Sequence, residues 1–319
     1  MAIQKRKKKT GTTLSEAFEM FVLEKEADNI SNDTIRNYKM SFTKFCEQLE
    51  MNPDEVEIKK MDVNTINKWK AIMKKQEIRI SSVNHYLRDM RAFLNWAMNN
   101  DRCLIEDPFK ITMVKGQEEL PKDYNENEIK LLLKKPRKND TFGQWRNWVI
   151  TNWILATGNR EATICNIKID DVNFQKKEIV LNRTKNKEVQ VIPLSAELER
   201  ALKEYVALWN IDKWLFPSIS GEKLTTTALR KSYTVYCKSR NVNHSNLHGL
   251  RHTFAGYWIK NNGDVFKLQQ LLGHKTLEMT RHYVKIYGED LKEDYNKYSP
   301  LDTVKRKERR TREIQRKDE

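Results

Sequence analysis

Cysteine is scarce and scattered. Cys46, Cys103, Cys165 and Cys237 stand far apart, and no C-x-x-C pair occurs. Neither a zinc site nor a disulfide framework is indicated, and free thiols in a reducing cytoplasm are expected. No apolar run approaches the roughly 18 residues that a membrane helix needs, so no membrane partner is expected. The opening Met1-Ala-Ile-Gln-Lys-Arg-Lys-Lys-Lys has no apolar stretch behind its charges and does not read as a secretory signal. A P-loop, a dinucleotide fingerprint, an acidic metal cluster and an internal repeat are all missing. Neither a cofactor nor a metal is therefore suggested.

What the chain has in excess is positive charge. Its 319 residues hold 59 Lys and Arg against 44 Asp and Glu, a formal net charge of +15. The sequence pI is about 9.5. Such a surplus points to a polyanionic partner, most often nucleic acid. The length suggests two domains.

Residues 1–11 read as a basic, disordered arm. Residues 12–110 read as helical. Phe18, Phe21 and Val22 form one stripe, and Ser31 or Asp33 caps a helix carrying Ile35, Tyr38 and Phe45. Asp62 caps a third helix with Ile66 and Trp69, and Ser81 or Ser82 opens a fourth with Leu87, Met90 and Phe93. Four such helices make a small all-α domain. Lysines and arginines interleave with them, as at Arg36, Lys68 and Arg88, and suit either a DNA-facing or a solvated surface. Asp107-Pro-Phe ends this domain, and residues 111–124, with Gly116 and Pro121, read as a linker.

Residues 125–300 read as a second domain. A strongly apolar helix through Trp145, Trp153 and Leu155 closes at Gly158, with Arg160 next. Between Asp170 and Leu194 the pattern switches to period two, a small antiparallel sheet with a cationic turn, Arg183-Thr-Lys-Asn-Lys-Glu. Ser195 and Thr225 introduce two further helices. Residues 301–319 form a charged tail. The predicted fold class is mainly α with a small antiparallel β-sheet.

Five of the six histidines lie between His244 and His282. His248 and Arg251 are three apart and share a helix face. His274 and Tyr283 follow, with Gly273 and Thr276 marking a turn and a helix start between them. A base, a guanidinium, an imidazole and a phenol are the parts needed to act on a phosphate. Each has an ordinary alternative. Arg160 suits a pair with Glu161; His248 and His252 at i, i+4 suit a metal, but without the carboxylate of H-E-x-x-H; Lys185 suits an ordinary turn; Tyr257 and Tyr287 rival Tyr283.

Taken together and in order, these pieces carry a resemblance. Ala156-Thr-Gly-Asn-Arg160, Thr184-Lys-Asn-Lys before Ile192-Pro, His248-Gly-Leu-Arg251-His-Thr-Phe-Ala, Leu272-Gly-His274 and Tyr283 nine residues on resemble the tyrosine recombinase (phage integrase) family. The likeness covers residues 125–285, and residues 12–105 resemble that family's SAM-like core-binding domain. It implies a tyrosine recombinase catalytic domain and an enzyme that cuts and rejoins double-stranded DNA through a 3′-phosphotyrosine, with no metal and no cofactor.

Carried onto this chain, the resemblance makes Arg160 and Arg251 a clamp on the scissile phosphate, with His274 bonded to the same phosphate. His248 becomes the general base, Lys185 the general acid with Lys187 as its rival, and Tyr283 the nucleophile. The family often has an acidic residue three after the first arginine; here it is Thr163. The short N-terminus leaves no room for an arm-binding domain, so a compact form is expected. It would work as a homotetramer on two DNA sites, in the cytoplasm at the nucleoid, with room for an accessory directionality factor. Residues 289–298 are amphipathic enough to dock on a neighbouring subunit or to pack within their own chain. Integration or excision of a mobile element is the expected outcome. Xer-like dimer resolution, type IB topoisomerase-like strand passage and non-catalytic DNA binding are the alternatives.

Overall fold

The computed structural model describes residues 11–99, 104–116, 123–181 and 189–287. Residues 1–10 of the basic arm, Cys103, Pro121, the cationic turn with Lys185 and Lys187, residues 289–298 and the charged tail fall outside them. The chain divides into two compact units, Met1–Glu119 and Leu120–Glu319.

The first unit is built on four helices: α1 (Leu14–Ala27), α2 (Asn32–Leu49), α3 (Val63–Lys75) and α4 (Ile80–Asn99). Thr13 and Glu16 close a capping box on α1, while Ser31 and Asp62 cap α2 and α3 by accepting backbone N–H bonds. At α4 the start differs from the predicted one. The helix begins at Ile80, and Val83 N already donates to Arg79 O, so Ser81 and Ser82 lie inside the first turn. Phe18, Phe21, Phe42 and Phe93 pack ring against ring, with centroids 3.9–6.1 Å apart.

This unit also runs past Asp107-Pro-Phe. Ile111 is buried in its core, Phe109, Met113 and Val114 pack on it, and Asn84 bonds Val114 through both N–H and C=O. Residues 111–116 therefore belong to the helical unit, and at the other end of the expected linker Tyr124 is buried in the second core. A few apolar anchors on a segment without regular structure are enough for this, and they leave no helical or alternating period to read.

The second unit contains α5 (Glu126–Leu133), α6 (Phe142–Thr157), α7 (Glu161–Ile164), β1 (Val172–Asn173), β2 (Glu178–Leu181), β3 (Gln190–Pro193), α8 (Ala196–Trp209), α9 (Thr226–Ser239), α10 (Leu247–Lys260), α11 (Val265–Leu272) and α12 (Leu277–Tyr287). The strands form an antiparallel sheet in the order β1-β2-β3, with Ile179 opposite Ile192. α6 is the central element: Trp145, Val149, Ile150, Trp153 and Ile154 are all buried, and it packs against α8, α9 and α10. A helix apolar on every side belongs in a core. Mostly helical, with one small sheet, the molecule has the predicted fold class.

Candidate active site

Two left-handed glycines set the frame. Gly158, at φ +65°, ends α6, and a Cβ there would lie 2.5 Å from Phe254 and 2.7 Å from Leu272. Gly273, at φ +59°, ends α11 in the same way. Each releases the chain from a helix at no steric cost, and each is followed within two residues by a functional candidate: Arg160 after the first, His274 after the second. Asn159 between Gly158 and Arg160 is buried and accepts the Trp153 indole N–H at 2.9 Å, so the turn is tied into the core.

α10 supplies the third piece. Asn246 caps it by accepting from His248 N at 3.1 Å, and Leu250, Phe254 and Ala255 anchor one face. Arg251, 2% exposed, then reaches across to Gly158 O at 2.6 Å, Leu272 O at 2.8 Å and His274 Nε2 at 2.9 Å. Arg160 donates to the same Leu272 O at 3.3 Å. Two guanidinium groups thus converge on one carbonyl, the last of α11, where the helix dipole is negative. Among the described residues no carboxylate joins them. Glu161 is held instead by Arg230, with Oε2 3.0 Å from Nε. Thr163 stands where the family often has an acidic residue, and both arginines donate to the Leu272 carbonyl instead.

His274 is fixed on both ring nitrogens, by Arg251 at Nε2 and by Thr280 Oγ1 2.9 Å from Nδ1. Gln269 also donates to its carbonyl at 3.2 Å. Tyr283, 4% exposed, stacks on the His274 ring with centroids 6.3 Å apart and planes 6° apart. His252 lies 5.4 Å from the Tyr283 ring and 4.5 Å from that of His248. His252 therefore stands between His248 and the phenol, and its Nδ1 has no hydrogen-bond partner. His244 is elsewhere, paired with Glu128 at 3.2 Å and packed on Tyr124. His282 makes ring contact with Tyr283. Of the rival tyrosines, Tyr257 is exposed, and Tyr287 stacks behind Tyr283, over Gly256.

The electrostatics follow from burying so much positive charge. Burial, then Arg160, lowers the Arg251 pKa to about 10, which leaves it charged at neutral pH. Burial, then Arg251, lowers His248, His252 and His274, the last two to about 4, with His248 acting on His252 before Arg251 does. All three are neutral imidazoles near pH 7. Burial raises the Tyr283 phenol, and Arg251 and Arg160 oppose that rise. Beside these groups opens a cleft of about 1170 Å³, bordered by Arg160, Arg251, His274, Gln190, Lys267 and Lys275 and by no described carboxylate. Such a cleft is a receptor for an anion. Gln190, at the start of β3, bonds the carbonyls of Gln270 and Leu271, so the sheet is pinned to α11 beside the arginines.

The structure thus brings Arg160, Arg251, His274 and Tyr283 together, with His248 at the edge; Lys185 lies outside the described residues. The Leu272 carbonyl, Thr280 and Gln190 were not legible as site residues. A backbone acceptor carries no sequence signal, and the other two join the site only through contacts between separate elements.

The chain is similar to known proteins along most of its length. The profile of the Phage integrase family matches residues 122–289, and that of the Phage integrase SAM-like domain matches residues 13–115. Tyrosine recombinase XerC of Corynebacterium glutamicum is 24% identical over 271 residues, covering 84% of this chain and 86% of that protein. Among solved structures, the Tn1549 transposon integrase in complex with circular intermediate DNA aligns at TM-score 0.67 and 18% identity, over 88% of this chain and 96% of that one. XerH site-specific recombinase bound to palindromic difH substrate aligns at TM-score 0.65 and 20% identity, over 86% of this chain and 82% of that one.

Proposed function

The chain belongs to the phage integrase family of tyrosine recombinases, enzymes that cleave and rejoin DNA, and we propose that it is a site-specific recombinase using the cluster around Leu272. The observation that carries this reading is the convergence of Arg160, Arg251 and His274 on one point, with the Tyr283 ring stacked against them. A phosphodiester entering the cleft beside the Leu272 carbonyl meets two forked guanidinium groups and an imidazole. Charge developing on its non-bridging oxygens is met by donors already in place.

In this reading Tyr283 attacks the phosphorus. A 3′-phosphotyrosine forms as the bond to the 5′-oxygen breaks. His248, neutral and beside the cluster, takes the phenolic proton, with His252 between them. Lys185 gives a proton to the leaving 5′-oxygen, and Lys187 is the alternative donor. Attack by the 5′-hydroxyl of a second strand reverses the step. The bond energy is kept in the ester, so neither ATP nor a metal ion is needed.

Recombination between two sites calls for a tetramer on two duplexes, the assembly seen for lambda integrase bound to a Holliday junction. Integration or excision of a mobile element fits the likeness to the Tn1549 transposon integrase. The curated relatives named XerC favour a second reading, dimer resolution. Recombination between sites on separate circles, against resolution of sites repeated on one circle, separates the two.

The test of the common chemistry is a selection. The full chain is incubated with a pool of random-sequence nicked duplexes in EDTA, and DNA still attached after denaturation is sequenced. The reading expects a defined sequence to be captured by the unchanged protein, and none by Tyr283→Phe. Capture by Tyr283→Phe, or loss of capture in EDTA, would refute it.

A further inference from the structure

Thr280 is fully buried on α12, one turn before Tyr283. Its hydroxyl oxygen is 2.9 Å from His274 Nδ1, while Nε2 of the same ring is 2.9 Å from the Arg251 guanidinium. A guanidinium only donates, so in the chain without DNA Nε2 accepts. Burial, with Arg251, Arg160, His248 and His252 around it, keeps the ring neutral. A neutral ring that accepts at Nε2 carries its proton on Nδ1 and donates it to Thr280 Oγ1.

That is the wrong way round for the function proposed above, on which this inference rests, because a phosphate held by Arg251 meets the ring at Nε2, and a phosphate oxygen needs a donor there. The groups facing the ring are Arg251, His248 and His252 on α10, Arg160 beside α7, and Tyr283 on its own side of the cluster. None is a carboxylate that would hold an imidazolium. A neutral ring with its proton on Nε2 leaves Nδ1 bare and buried, in need of a donor. A hydroxyl can be acceptor in one state and donor in the other without moving its oxygen.

We propose that Thr280 is a positioning residue whose hydroxyl turns over with His274, letting the ring carry its proton on Nε2 once a phosphate takes the place of Arg251. The balance is neutral: Nδ1 gives one proton to water, Nε2 takes one from water, and the threonine hydroxyl rotates about Cβ–Oγ.

Histidine-ring nitrogen NMR of the full chain tests this directly, free and titrated with inorganic phosphate. The free protein is expected to show His274 protonated on Nδ1, and the phosphate-bound protein on Nε2 with Nδ1 accepting. A ring protonated on Nε2 before phosphate, or on both nitrogens after it, overturns the proposal. On a duplex captured by the selection above, Thr280→Val should slow adduct formation about tenfold, the rate equivalent of one hydrogen bond, without weakening DNA binding. Thr280→Ser should restore the rate, and Thr280→Val at the unchanged rate would also overturn the proposal. If no duplex is captured at all, the recombinase reading fails, while the ring spectra still decide the role of Thr280.

Discussion

The two units bury different things. The helical unit hides aromatic and aliphatic side chains, and Ser41 is the one buried polar residue among those described there. The second unit hides two arginines, two asparagines and several threonines, on α6, α10 and α12 and at the Gly158 turn. Burying a polar group is costly unless it is bonded, so a fold carries many such groups only where they do something. Here the bonds among them align Arg160, Arg251 and His274. The first unit is specified by packing, and the second by packing plus a hydrogen-bonded frame.

The largest expected effect follows from packing alone. Phe93 touches Phe18, Phe21, Phe42 and Trp96, and Phe93→Ala should cost about 3–5 kcal/mol. Because the units have separate cores, thermal unfolding followed by calorimetry should show two transitions, with only one moved. Both moving together would break the comparison.

Next come the two buried arginines, which resemble each other in burial and differ in outlook. Arg146 donates to Pro217 O and lies 5.3 Å from the Phe142 ring, closed off within the core. Arg251 borders the cleft. Arg251→Met should lower the rate of adduct formation by about 10²–10³, the usual loss on removing one charge-stabilising donor. Arg146→Met should shift the melting temperature and leave that rate within about threefold, since a buried charge replaced by an apolar chain of similar size is often tolerated. Equal rate losses would mean that the frame is one unit rather than a site on a scaffold.

How much of this was legible in the sequence follows the same division. Caps such as Ser31, Asp62, Ser195 and Thr225 and the stop at Gly158 are local, and they stand where the sequence puts them. So does the grouping of His248 with Arg251 on α10. The start of α4 and the burial of Ile111 were not legible, because tertiary contacts rather than local chemistry decide them. The convergence on Leu272 O depends on three chain segments meeting at one backbone atom, and no spacing rule encodes that.

A last effect is on stability against pH. His252 and His274 have pKa values near 4 in the folded chain, against an ordinary value near 6.5. Between these values the unfolded chain binds more protons than the folded one. Stability is therefore full above about pH 6.5 and declines as the pH falls toward 4. His252→Gln should flatten the fall in melting temperature over that window, whereas a variant of the helical unit should leave its slope alone.

The central claim is that the hydrogen-bonded frame of the second unit directs one particular phenol at a phosphate. Mass spectrometry of the peptide left attached to DNA, from adduct formed in EDTA, tests it most directly. A nucleotide ester on Tyr283 is expected. An ester on Tyr257 or Tyr287, or on no tyrosine at all, would contradict it.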